Sequence, residues 1–175
     1  MSSLFEEIYK LKLIQRRGWI LRDCCKEVGR TESDAEHCFS CMMLAIEIME
    51  REKLDLDQLK VLKIIAVHEL CEIDAGDHTP IDDITLEEKY RLELEGVKRL
   101  AKEHDLPWVL DLWLEFEEAK TPEAKFAKQM DKLDCIMQSK VYSKLEGRSE
   151  LYQEFYEHGK NKIGDYQKYL DEIEI

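Results

Sequence analysis

The sequence has little proline and glycine, no long apolar run and no excess of positive charge. Three prolines and seven glycines in 175 residues disfavour a collagen-like repeat, a disordered low-complexity chain or a many-turned β architecture. No segment approaches the roughly 20 consecutive apolar residues that span a bilayer, so no membrane partner is expected. The net charge is −13. A protein that grips a nucleic-acid polymer must neutralise backbone phosphates and needs the opposite sign, which argues against such a partner. A small anion stays open, because a local arginine cluster overrides the global charge.

A secretory leader is also missing. The N-terminal stretch MSSLFEEIYKLKL carries acids where a leader has a basic region, and it lacks a long apolar core. The expectation is a cytoplasmic protein with reduced thiols. Cys38 and Cys41 form a lone CxxC with no second pair at zinc-finger spacing, so the cysteines are expected to pack in the core.

What is present is helical periodicity. With 44% hydrophobic and 37% charged residues, the chain suits one domain over residues 1–175. Ser3 with Glu6, Ser33 with Glu36 and Thr85 with Glu88 stand at capping-box spacing. Thr121 followed by Pro122 marks another helix start. The stretch from Asp55 to Gly76 reads as one buried helix, and residues 149–173 as a last amphipathic one. Residues 16–30 read as irregular with a short helical turn, and residues 78–84 as a loop. The expectation is an all-α domain of about six to seven helices.

Charged and titratable residues interrupt the helices that should be buried. His37 precedes an apolar run, His68 and Glu69 sit near the end of a buried helix, and Asp131 interrupts KFAKQMDKLDCIM. Burying such groups is costly unless something pairs with them. Two imidazoles and two carboxylates suit one divalent transition metal, with Mn, Co, Fe, Ni or Zn all compatible. Glu72 lies one turn beyond His68 on the same face, where a carboxylate would deprotonate a water. Asp77 follows Gly76 and would enter the same pocket from a loop. Taken singly, Asp131 also reads as a solvated residue, Glu72 as a surface acid and Asp77 as a turn residue. His78, His104 and His158 read as surface residues.

The segments ESDAEH, HELCEIDAGDHTP and AKFAKQMDKLDCIM, in that order, together with an early QRRGW, resemble the HD-domain metal-dependent phosphohydrolases, specifically their 5'-deoxynucleotidase branch. The resemblance runs from about Leu11 to Glu146. It implies that His37, His68, Glu69 and Asp131 are metal ligands and that Glu72 activates the attacking water. It implies that Asp77 holds the substrate or its leaving group. Either Arg16 or Arg17 corresponds to the phosphate-binding arginine, and Trp19 either stacks on the nucleoside or belongs to the core. The implied reaction is hydrolysis of (deoxy)nucleoside 5'-monophosphates by a homodimer. The alternatives are the same fold acting on another nucleotide as a phosphodiesterase or triphosphate hydrolase, or a weakened metal- and nucleotide-binding protein.

One letter departs from the family pattern, which has His-Asp where this chain has His68-Glu69. The extra methylene moves the carboxylate by roughly one C–C bond, about 1.5 Å. Metal geometry tolerates only about 0.2 Å of ligand error, so position 69 bears on metal identity and rate.

Overall fold

Backbone hydrogen bonding divides the chain into helices joined by short loops. The computed structural model describes residues 3–24, 29–79 and 81–174. In order, the helices are α1 (Leu4–Leu11), α2 (Arg17–Ile20), α3 (Asp34–Glu52), α4 (Gln58–Val67) and α5 (Glu72–Ala75). They continue with α6 (Leu86–Glu103), α7 (Pro107–Glu118), α8 (Pro122–Glu146) and α9 (Ser149–Ile163), and a 3-10 helix follows over Gly164–Glu172. Among the described residues there is no β-strand, only an isolated bridge between Gln15 and Ser33. The all-α expectation is met. Seven α segments have eight residues or more, and the single-turn α2 and α5 come in addition.

All three capping boxes form, at Ser3, Ser33 and Thr85. Each satisfies backbone N–H groups that the first helical turn leaves unpaired. Thr121 caps α8, with Pro122 in its first turn.

Two expectations need correction. The helix expected from Asp55 to Gly76 is two helices, capped at Asp57 and with a tight turn over residues 68–71. There the N–H of Leu70 donates to Val67 O at 3.1 Å and that of Glu72 to Glu69 O at 3.0 Å, which is 3-10 bonding. The His68 ring folds back onto the carbonyl of Ile65 at 2.6 Å and ends the regular run. The last helix does not reach residue 173. It stops at Ile163, because Gly164 adopts φ 55° and ψ −134°, and the chain continues as 3-10 helix. In the expected loop over residues 78–84, Pro80 lies outside the described residues, as do residues 25–28 of the irregular segment.

The long helix α8 packs against α3, α4, α7 and α9. Its Ala127, Met130, Leu133 and Ile136 are almost completely buried with Cys41, Ala45, Ile48, Val61, Ile64 and Ile65 of α3 and α4. A fully buried side chain of this size contributes about 1.5–3 kcal/mol. A second apolar cluster joins α1, the α4–α5 turn, α6 and α7 around Val97 and Trp113. Gly96 makes that approach possible, since a Cβ there would lie 2.7 Å from the backbone oxygen of Cys71. The polar residues of interest sit where the two clusters meet.

Candidate active site

Three elements deliver four donor groups to one buried point. His37 comes from the second turn of α3, His68 and Glu69 from the turn after α4, and Asp131 from the middle of α8. All four residues are buried, His37 completely. One donor atom from each lies within 4.8 Å of the others. His37 Nε2 is 3.3 Å from Asp131 Oδ1 and 3.5 Å from Glu69 Oε1, and His68 Nε2 is 3.3 Å from Glu69 Oε1. The longer Glu69 side chain therefore reaches the centre of the cluster.

The two imidazoles are oriented alike. His37 Nδ1 lies 2.7 Å from Asp134 Oδ2, and His68 Nδ1 lies 2.6 Å from Ile65 O. Each acceptor calls for an N–H on Nδ1 and leaves the Nε2 lone pair facing the cluster. His68 Nε2 is buried without any hydrogen bond. An orphaned imidazole nitrogen beside two carboxylates is what a metal-ligating set looks like, with its outer carboxylate and carbonyl supports in place. The HD-domain fold and this His/Glu/Asp donor set suggest a divalent metal, since mixed nitrogen and oxygen ligands suit one.

A second acidic set adjoins the first. Asp34, Glu72 and Asp77 also bring carboxylate oxygens within 4.8 Å of one another. Both oxygens of Asp34 and Glu72 Oε2 are buried without hydrogen bonds. Burial pushes the Asp34 carboxyl up to about 7, with the charge of Glu69 adding and that of Arg16 opposing. Burial also raises Glu72 well above the carboxylate range, and the charges of Glu69, Asp77 and Asp34 raise it further. Both groups thus gain affinity for a proton.

Residues 14–16 are pinned against the start of α3. Arg16 N–H donates to Glu32 O at 2.9 Å, and Asp34 N–H donates to Ile14 O at 3.0 Å. That anchoring sends the Arg16 side chain inward. Its Nη1 is 2.5 Å from Glu69 Oε1 and 3.7 Å from Asp34 Oδ1. Arg17 turns the other way. Its side chain is half exposed and pairs with Asp82 at 2.6 Å, beside a separate surface groove. The backbone N–H of Arg17 donates to Asp77 Oδ2 at 2.6 Å. Of the two arginines, only Arg16 lies beside the cluster.

The cluster opens into a cavity of about 590 Å³. Its wall includes His68, Glu69, Glu72, Asp77 and Asp131, and also Arg16, Arg22, Lys89, Lys128, Lys132 and Lys162. Glu93, Glu117 and Glu154 line it as well, so six cations and seven acids share the cavity. His78 lines it too and is half-buried, which corrects its reading as a plain surface residue, while His158 lines it from an exposed position, as expected. Trp19 also needs correction as a stacking surface. It is 2% exposed and stacks on Phe155 at 4.3 Å, with Tyr142 edge-on at 5.2 Å. Its Nε1–H donates to Glu32 at 2.8 Å. It is a packed wall residue that supports Phe155. Cys38, Cys41, Cys71 and Cys135 are free thiols, and Cys38, Cys41 and Cys71 are buried packing residues.

Asp34, Asp134 and Lys132 had no role in the sequence reading. Spacing carried a signal for two of them. Asp34 is three residues before His37 and Asp134 three after Asp131, so each shares a helix face with a cluster residue. Asp34 reads equally well as the acid that a helix N-terminus favours.

Comparison with known proteins bears on the same cluster. A family model described as HD domain matches residues 8–170, beyond both ends of the resemblance seen in the motifs. The chain is 35% identical over 150 residues to "5'-deoxynucleotidase HDDC2" of Xenopus laevis, covering 84% of this chain and 71% of that protein. It is 34% identical over 174 residues to the protein of the same name from Dictyostelium discoideum, covering 92% and 88%. Among solved structures, the PH0347 protein from Pyrococcus horikoshii superimposes with a TM-score of 0.75 at 27% identity, covering 96% of this chain and 92% of that one. The chain belongs to the HD-domain family, in the branch of the 5'-deoxynucleotidases.

Proposed function

We propose that the protein hydrolyses deoxynucleoside 5'-monophosphates to nucleoside and phosphate, with one divalent transition metal held by His37, His68, Glu69 and Asp131. The observation that carries this reading is the orphaned Nε2 of His68 beside two buried carboxylates. The name shared by relatives at 34–35% identity supports the substrate class.

A divalent ion in this set would polarise a phosphoryl oxygen and acidify water at the site. The chain's own residues do the rest. Arg16 presents its guanidinium to the phosphate, where charge-assisted hydrogen bonds are strong. Glu72 takes the proton of the attacking water on its unpartnered Oε2, and its raised proton affinity suits a general base. Asp77, held through Oδ2 by the Arg17 N–H, offers Oδ1 to the sugar or leaving oxygen. Positioning and charge stabilisation carry most of the rate.

The match over residues 8–170 supports reading the chain as one domain. An outward stripe on α3, with Phe39, Met43 and Ile46 exposed, supports a homodimer. Free thiols support a cytoplasmic setting, and no helix among the described residues is long and apolar enough to cross a membrane.

The test is phosphate release from all deoxynucleoside and nucleoside monophosphates across Mn, Co, Fe, Ni and Zn. Release from deoxynucleotides with at least one metal is expected. Activity confined to cyclic nucleotides or triphosphates, or nucleotide binding without turnover, rejects the reading.

A further inference from the structure

The cavity holds a cation beside the cluster for which the assigned roles have no use. Lys132 follows Asp131 on α8 and lines the same cavity as Arg16, His68 and Glu69. Its Nζ lies 2.9 Å from Asp131 Oδ2. The other oxygen of that carboxylate, Oδ1, faces His37 Nε2 at 3.3 Å. Arg16 pairs with Glu69 at 2.5 Å, through the same Oε1 that faces the two imidazoles. Each carboxylate of the donor set therefore has its own cation. Cys135 sits between the two halves, its Sγ 3.6 Å from Arg16 Nη2 and 3.9 Å from Asp131 Oδ1. Arg16 and Lys132 line the same cavity.

We propose that Lys132 is a second phosphate-binding residue, paired with Arg16, and that the pair selects a doubly charged phosphomonoester over a singly charged diester. The proposal rests on the phosphatase reading and deepens it. Arg16 and Lys132 already balance Glu69 and Asp131. A divalent cation among the four donors leaves that group, counted without the adjoining Asp34, Glu72 and Asp77, with two positive charges in excess. That matches a phosphomonoester dianion and overcompensates a diester. Charge-assisted bonds of about 2.8 Å to different oxygens of one phosphoryl group need donors roughly 5–8 Å apart, and both side chains open onto the one cavity.

The experiment is calorimetric binding of inorganic phosphate to the full-length, metal-loaded protein at pH 8, for wild type, Lys132→Gln and Lys132→Arg. Metal affinity is measured in parallel on the metal-free forms. Lys132→Gln is expected to weaken phosphate binding about tenfold or more and to raise KM for the monophosphate. Its metal affinity should stay within threefold, and Lys132→Arg should restore most of the loss. Unchanged phosphate affinity in Lys132→Gln overturns the proposal. So does a loss that follows weaker metal binding, which would make Lys132 only a counter-charge for Asp131. Wild-type protein that takes up no metal, or takes it up and binds no phosphate, overturns it as well. Wild-type protein that binds phosphate but releases none from deoxynucleotides fails the functional reading instead, and the Lys132 comparison still stands.

Discussion

His68 Nδ1 lies 2.6 Å from the carbonyl oxygen of Ile65, three residues earlier in the chain. This contact does two things at once. It closes the end of α4, where a histidine satisfies a last-turn carbonyl. It also commits the ring's N–H to Nδ1, so that Nε2 faces Glu69 with its lone pair free. His37 receives the same treatment from Asp134 at 2.7 Å. The site is thus prepared through backbone and outer carboxylate contacts as much as through the donors themselves.

His68→Ala should abolish metal uptake while circular dichroism stays helical. Asp134→Asn keeps the shape but allows an amide N–H to face His37, which disfavours the required tautomer. Metal affinity should then fall about 10–100-fold. Metal content measured after dialysis checks both, and normal content in His68→Ala would sink the assignment.

The two neighbouring arginines should behave differently. Arg16→Gln removes a guanidinium beside Glu69 and should lower kcat/KM about 10–100-fold, the worth of a hydrogen bond to a charged group. Arg17→Gln removes a half-exposed partner of Asp82 and should cost less than about threefold. Equal losses in steady-state kinetics would contradict the inward placement of Arg16.

Gly96→Ala is a remote test of the turn that carries the site. A Cβ there meets Cys71 O at 2.7 Å and Asp74 Cβ at 3.3 Å. The clash is with backbone, so either the turn between Glu69 and Glu72 or α6 must shift, and the turn is the shorter element. A stability loss of about 1–3 kcal/mol is expected, together with weaker metal binding. Denaturant unfolding and metal titration on one sample read both, and wild-type values for the two would show that α6 yields instead.

The start of α3 should be pH-sensitive through Glu36. The Arg30 guanidinium leads in pulling this carboxyl down to about 2 from 4.5, and the Ser33 N–H and hydroxyl assist. A depressed carboxyl contributes stability that is present above its unfolded value and lost as pH falls toward its folded value. The pair is largely exposed, so the contribution stays below about 1 kcal/mol. Glu36→Ala should lower Tm at pH 7 by less than about 2–4 °C, with the difference shrinking as pH drops from 4.5 toward 2. A gap independent of pH in thermal melts would count against this account.

Sequence alone determined the helical class, the three capping boxes and the residues that compose the cluster. Those rest on local periodicity, on side-chain to backbone contacts three residues apart, and on short motifs. Tertiary structure decided the rest, because the deciding partners are distant in the chain. Arg16 meets Glu69 across 53 residues and His37 meets Asp134 across 97. Arg16 was separated from Arg17 only by the anchoring of residues 14–16 on α3. Trp19 became wall through Phe155 and Tyr142, which belong to helices far along the chain. The break after α4 was hidden, since the apolar pattern continues through it and only the fold of His68 onto Ile65 shows where the helix ends. That same break answers the question raised by Glu69, whose carboxylate reaches both imidazoles and Arg16 from a turn that helical periodicity does not reveal.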